Sequence, residues 1–174
     1  MTEPIDVKKV MQAVQLRDVR VVDVAANTTI RSPSETGNVD LFVDWAAKPK
    51  SRIGNEFVVE ATLQARIARR ESPNVPVVRI RTVFDLTYDL SQDVVASDEE
   101  LSAFAKLNGT FNAWPYARAL IQNLSASMNL PPITIPVFRV NDLARSIAQR
   151  RQPKQLTSKR ESAEKKMRGK RKRR

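Results

Sequence analysis

Between Phe57 and Ile67 the chain alternates without a break. Phe57, Val59, Ala61, Leu63, Ala65 and Ile67 fall on one side, with Val58, Glu60, Thr62, Gln64 and Arg66 on the other. A period of two belongs to a strand with one covered and one wetted face. The pattern recurs from Val77 to Leu90, where Val78, Ile80, Phe84, Leu86, Tyr88 and Leu90 oppose Arg79, Arg81, Asp85, Thr87 and Asp89. Such strands form antiparallel sheets, because parallel sheets are usually buried on both faces. The chain must therefore cover one side of a sheet and leave the other to water.

Two strands precede these. Val39, Leu41, Val43 and Trp45 alternate with Asp40 and Asp44, and Phe42 violates the pattern. From Met11 to Ala25 the chain is rich in valine but out of phase. Val14 and Leu16 share one face, Val19 and Val21 fall on the other, and Val22 and Val24 return to the first. The slip predicts a bulge near Arg17 and Asp18, or burial on both faces. The connections hold Pro33, Gly37, Pro49 and Gly54, with no helical period, which predicts a four-stranded meander.

Helices come after the strands. Ser97 with Glu100 forms a capping box before Leu101, Phe104 and Leu107, and Asn108-Gly109 is a stop signal. Asn112 is placed to cap a second helix with Pro115 in its first turn, where a missing N–H costs little. Ala117, Leu120, Ile121, Leu124 and Met128 then make an apolar stripe at helical spacing. A last helix starts at Asn141 or Asp142, carries Leu143 and Ile147, and ends before Pro153. Strands first and helices last give an α+β fold, with an antiparallel sheet covered on one face by helices.

The loop between the last two helices is unusual. It reads Leu130, Pro131, Pro132, Ile133, Thr134, Ile135, Pro136, Val137, Phe138. Loop backbone generally faces water, yet this one is apolar and stiffened by proline. Its side chains must pack on the domain itself, on a sister subunit or on a partner chain. Phe42, alone among polar neighbours, reads as a subunit contact.

Charge divides the chain. Of thirty basic and nineteen acidic residues, thirteen and two lie from Arg150 onward, which leaves seventeen of each before it. The formal net charge of +11 therefore belongs entirely to the end of the chain. A neutral body argues against a folded nucleic-acid surface. We read residues 1–10 as an arm, 11–152 as the folded domain and 153–174 as a disordered basic tail. Lys165, Lys166, Arg168, Lys170, Arg171, Lys172, Arg173 and Arg174 give the tail its polyanion-binding character. It reads either as a solvated, nonspecific end or as a contact to nucleic acid or the ribosome.

The chain has neither cysteine nor histidine, so thiolate metal sites and the commonest general base are absent. Its four glycines lack the spacing of a phosphate-binding loop. Asp98, Glu99 and Glu100 crowd a helix first turn, where the dipole favours them. We expect no enzyme, cofactor or metal. No apolar run is long enough to span a bilayer, and Met1 to Lys9 has no apolar core of a leader, so the expectation is a cytoplasmic protein without membrane insertion.

Pro115-Tyr116-Ala117-Arg118 opening a helix, then Leu130-Pro131-Pro132-Ile133, then a short final helix, resembles the SecB export chaperones. The order of four strands before a long helix agrees, and the resemblance covers about residues 10 to 150. It implies a homotetramer, in which two protomers join sheets and two dimers pack through the long helix. Tyr116, Leu120, Ile121, Leu124 and Met128, with Phe42, would then be interfacial. It implies ATP-independent holding of unfolded or precursor polypeptides in apolar grooves. The matching positions are Val39, Leu41 and Val43 on the second strand, Ile133 and Ile135 in the loop, and Val140 and Leu143 in the last helix. Some SecB-like proteins instead guard one labile partner, such as an antitoxin. The chain departs from the family at Ala119, where Glu is usual, and in its basic end. Members use acidic residues on the polar sheet face to dock the motor SecA. Asp18 matches one such position, but Arg79 and Arg81 stand where a carboxylate is expected.

Overall fold

The alternating segments do pair into one sheet. The computed structural model describes residues 7–32, 35 and 37–138. The chain divides into a unit of residues 1–137 and one of residues 138–174, and the sheet and its helices belong to the first. Helix α1 spans Val7–Ala13 and runs into β1, Val14–Thr28. Strands β2 (Val39–Ile53), β3 (Glu56–Arg69) and β4 (Pro76–Leu90) come next, then α2 (Asp98–Phe104), a π turn (Ala105–Gly109) and α3 (Thr110–Ser127). Fifteen-residue strands such as β2 reach roughly 50 Å at about 3.3 Å per residue.

All four strands are antiparallel, in the order β1-β4-β3-β2. Only β2, β3 and β4 form the expected meander. β1 lies against β4 rather than β2, which makes a Greek key. The connection from β1 to β2 is long enough to cross the sheet's end, whereas β2–β3 is a tight hairpin with Gly54 at φ 60°.

β1 explains its own irregular pattern. Its register slips twice, between Leu16 and Asp18 and again between Val21 and Asp23. Each bulge adds one residue and restores the phase. Val14, Leu16, Val19, Val21 and Val24 therefore share one face, opposite Leu90, Tyr88, Leu86, Phe84 and Thr82. Val19 and Val21 do not point away, as the simple alternation implied, and the bulge near Arg17 is present.

The helices cover the apolar face over β2, β3 and β4. Phe57 stacks on its register partner Tyr88 at 5.3 Å, and Phe104 of α2 meets both rings edge-on at 5.7 and 5.1 Å. The capping box of α2 is formed: Glu100 N–H donates to the Ser97 hydroxyl at 3.2 Å, and Ser97 N–H donates to the Glu100 carboxylate at 2.8 Å.

Asn108-Gly109 does not stop the helix. The π turn carries α2 directly into α3, so the backbone stays helical from Asp98 to Ser127. Gly109 has helical φ and is buried, and its role is close approach. A Cβ there would lie 2.6 Å from Val59 Cγ1 and 3.2 Å from Ala47 Cβ. Ala61, Ala105, Ala113 and Ala117 are likewise buried, which lets helix and sheet meet closely. Asn112 consequently caps nothing; its amide donates to the Tyr88 hydroxyl at 2.9 Å. Pro115 lies inside α3 rather than in a first turn. α1, which the sequence pattern did not announce, inserts fully buried Val10 and fastens to the sheet by the Ser91 N–H to Ala13 carbonyl bond at 2.9 Å.

Candidate functional site

The end of α3 sets the course of the proline loop. Asn129 adopts a left-handed φ of 58°, with Leu130 N–H donating to the Ser125 carbonyl and Asn129 N–H to that of Ala126, both at 3.0 Å. This is a Schellman cap with asparagine in the place glycine usually takes. Ser125, itself buried, then holds the returning chain: its hydroxyl accepts the Ile133 N–H at 2.8 Å and donates to the Gln122 carbonyl at 2.8 Å. Farther on, Trp114 Nε1 donates to the Pro136 carbonyl at 2.9 Å. Trp114 meets Trp45 of β2 edge-on at 5.6 Å. Sequence left the loop with three places to pack, and the domain itself takes Leu130, Ile133 and Ile135, all buried.

What the loop does not fill is a cavity of about 310 Å³ between itself and the sheet. Val39 and Leu41 of β2, Ile67 of β3 and Val78 of β4 form one wall, and Leu130 to Thr134 the other, with Gly37 at the rim. Leu41, Ile67 and Val78 are consecutive register partners, so they form an apolar row across three strands. Leu41 is 38 % exposed, which leaves this row open to an incoming side chain. The arrangement offers contact area without a charge or a reactive group.

Of the expected client-binding residues, the structure brings Val39, Leu41 and Ile133 together on this cavity. Val43 is half-buried farther along β2, outside the lining. Ile135 is fully buried, so in this chain it belongs to the core and not to an open groove. Val140 and Leu143 lie outside the described residues, as do the tail cations from Lys165 to Arg174. Ile67, Val78 and Gly37 were not anticipated as site residues. The signal for the first two was their shared face on neighbouring strands, readable only once the register is known.

The expected interfacial stripe divides similarly. Tyr116 is exposed, and Leu120, Leu124 and Met128 are half-buried, whereas Ile121 is fully buried beneath α3 and belongs to the core. Phe42 lies on the polar face, half-buried, with the Arg66 guanidinium 5.6 Å from its ring centre. Exposed Phe111, Val21 and Val24 add apolar surface that the sequence pattern did not assign to an interface.

The polar sheet face is a lattice of ion pairs. Arg17 bridges Glu56 and Asp89, Lys48 holds Glu60, Arg66 holds Asp44, Arg70 holds Asp40, and Arg81 holds Asp23. Asp85 is buried at its centre and takes Lys50 Nζ at 2.7 and 2.9 Å, with Arg20 at 3.6 Å. Every strand carboxylate among the described residues except Asp18 has such a partner. Arg81 is thus neutralised across the β1–β4 pair, and Arg79 is exposed between Asn27 and Arg66.

No protein-family model matches the sequence. Two curated relatives do, both SecB-like chaperones of Mycobacterium tuberculosis. MT2006 is 26 % identical over 149 residues and Rv1957 is 25 % identical over 140; each match covers 71 % of this chain and 77 % of the relative. The solved structure of Rv1957 in complex with a ChAD peptide from the Rv1956 HigA1 antitoxin has the same fold. It superposes with a TM-score of 0.66 at 22 % identity, over 75 % of this chain and 95 % of that one. Sequence relatives and fold neighbour agree: the chain is similar to the SecB-like chaperones in sequence and in fold.

Proposed function

We infer that this chain is an ATP-independent chaperone that holds non-native polypeptides by burying their apolar side chains between the proline loop and the start of β2. The apolar cavity of about 310 Å³, open at Leu41 and walled by a pinned loop, carries the reading. Burial here is worth roughly 25 cal/mol per Å² and reads no sequence, so one site binds weakly and several on one client add. The working assembly is a homotetramer in the cytoplasm. Tyr116, Leu120 and Leu124 of α3, with the uncovered apolar face of β1 at Val21 and Val24, supply the surface that assembly buries.

The client is either a range of export precursors or one labile partner such as an antitoxin. The second reading has two supports: the Rv1957 structure holds an antitoxin peptide, and on the sheet face here every strand carboxylate among the described residues but Asp18 is paired with a cation, which leaves little free acidic surface for a motor such as SecA. The test is light scattering of a diluted, unfolded client with and without the full chain, alongside native mass. A tetramer that suppresses aggregation of unrelated clients supports general holding. A tetramer that protects only an antitoxin supports the dedicated role, and a monomer that protects nothing rejects both.

A further inference from the structure

One row on the polar face of the sheet departs from the pairing around it. Across the four strands the register places Asn27, Arg79, Arg66 and Phe42 side by side. Arg79 and Arg66 are therefore direct cross-strand neighbours, and like charges so placed weaken a sheet. Arg20, by contrast, faces Asp85, and Arg81, two residues along β4, is neutralised by Asp23. Arg66 donates Nε and Nη2 to a single oxygen of Asp44, at 3.1 and 2.8 Å, and its Nη1 makes no hydrogen bond among the described residues. The Arg79 guanidinium is exposed and has neither ion pair nor hydrogen bond among the described residues. Phe42, half-buried, has the Arg66 guanidinium 5.6 Å from its ring centre, which holds that side chain over the sheet.

We propose that this row docks an acidic polypeptide segment of another protein, whose carboxylate inserts between the Arg79 and Arg66 guanidinium groups while an apolar side chain packs on Phe42. Guanidinium groups take carboxylates through paired N–H bonds, and Asn27 adds an amide donor beside Arg79. Strands lie about 4.8 Å apart, so two strand spacings put Arg79 and Phe42 about 10 Å apart, the length of roughly three residues of extended chain. The partner's pattern is thus a carboxylate and an apolar residue three positions apart. Nucleic acid fits the row less well. Its phosphates repeat along a strand, and Asp23, Asp40 and Asp44 flank the row on the same face. The end of this chain does not supply the carboxylate either, with thirteen basic and two acidic residues from Arg150 onward. The row lies on the sheet face opposite the cavity, so a client and the acidic partner bind at the same time.

The probe is a short, dye-labelled serine peptide carrying glutamate and leucine three residues apart, followed by fluorescence anisotropy at physiological ionic strength. A version with glutamine for glutamate and a short adenylate RNA are the comparisons. The full chain is titrated as the parent, as Arg79→Gln, and as Arg171→Gln with Arg173→Gln, which thins the basic end. Arg79→Gln and the glutamine peptide are each expected to weaken binding about fivefold or more, and the change in the basic end to leave it nearly unaltered. Since Arg79→Gln removes a repulsion, its melting temperature should not fall, and it should suppress client aggregation as the parent does. No binding of the glutamate peptide, equal binding by Arg79→Gln or of the glutamine peptide, or a loss caused by the basic end instead, overturns the proposal. So does RNA binding that depends on Arg79 as strongly as peptide binding does. A lowered melting temperature of Arg79→Gln shows a structural role, and a changed native mass shows a sister copy on the row; either overturns it too. The holding function stands or falls separately, by light scattering.

Discussion

Ser125 and Ile133 are joined across the end of α3 by a 2.8 Å hydrogen bond from the Ile133 N–H to the Ser125 hydroxyl. The bond fixes how far the proline loop stands from the sheet, because Ile133 lines the cavity on one side and is tied to the helix on the other. Replacing Ser125 by Ala leaves a buried N–H without its partner, a loss of about 1–3 kcal/mol. Ser125→Ala is expected to lower the melting temperature by a few degrees and to weaken client holding more than its stability loss accounts for. Calorimetry and light scattering on the same sample check this.

Gly109→Ala places a methyl 2.6 Å from Val59 Cγ1. Val59 is buried and β-branched, so it has no free rotamer with which to yield. Overpacking of this kind costs about 1–3 kcal/mol. The double variant Gly109→Ala with Val59→Ala should be more stable than the sum of the two single losses, because the second change removes the clash. Denaturant unfolding of the four proteins measures that coupling.

Leu41→Asp tests the groove with little cost to the fold, since Leu41 is 38 % exposed whereas Ile135 is fully buried. A charge there must be desolvated whenever a client covers it. The variant should keep its melting temperature within a few degrees and lose aggregation suppression. Ile135→Asp should instead unfold the protein.

Burial pushes the Tyr88 hydroxyl up from 10.0 to about 12, against the opposing effect of its bond from Asn112. The folded state therefore keeps a proton that the unfolded chain gives up. The stabilisation is complete below pH 10 and is lost as pH rises toward 12. Stability measured across that window should fall with pH in the parent, and Tyr88→Phe should flatten the fall, at the cost of the Asn112 bond.

The sheet was legible in the sequence wherever one face is dry. β3 and the apolar row of β4 follow the alternation of Phe57 to Ile67 and Val78 to Leu90 residue by residue. β1 was harder, because two bulges mimic a change of face, and only pairing with β4 shows that Val14 and Val21 lie together. Gly109 misled for a different reason. A glycine after asparagine is a common helix end, but the same missing Cβ also permits close packing, and sequence cannot tell these apart. The proline loop was recognised as unusual, yet which of its residues turn inward depends on hydrogen bonds from Ser125 and Trp114 that leave no local pattern.

The lattice of ion pairs on the open sheet face bears on how clients arrive. With most of its strand carboxylates paired at short range, and with equal numbers of acidic and basic residues before Arg150, the folded body projects little long-range field. Acidic and basic clients therefore meet it at similar rates, set by diffusion and orientation, and those rates change little with ionic strength. Any steering the chain exerts originates in its last residues. Under the proposed holding function, capture chemistry would belong to the folded body and electrostatic steering to the last residues of the sequence.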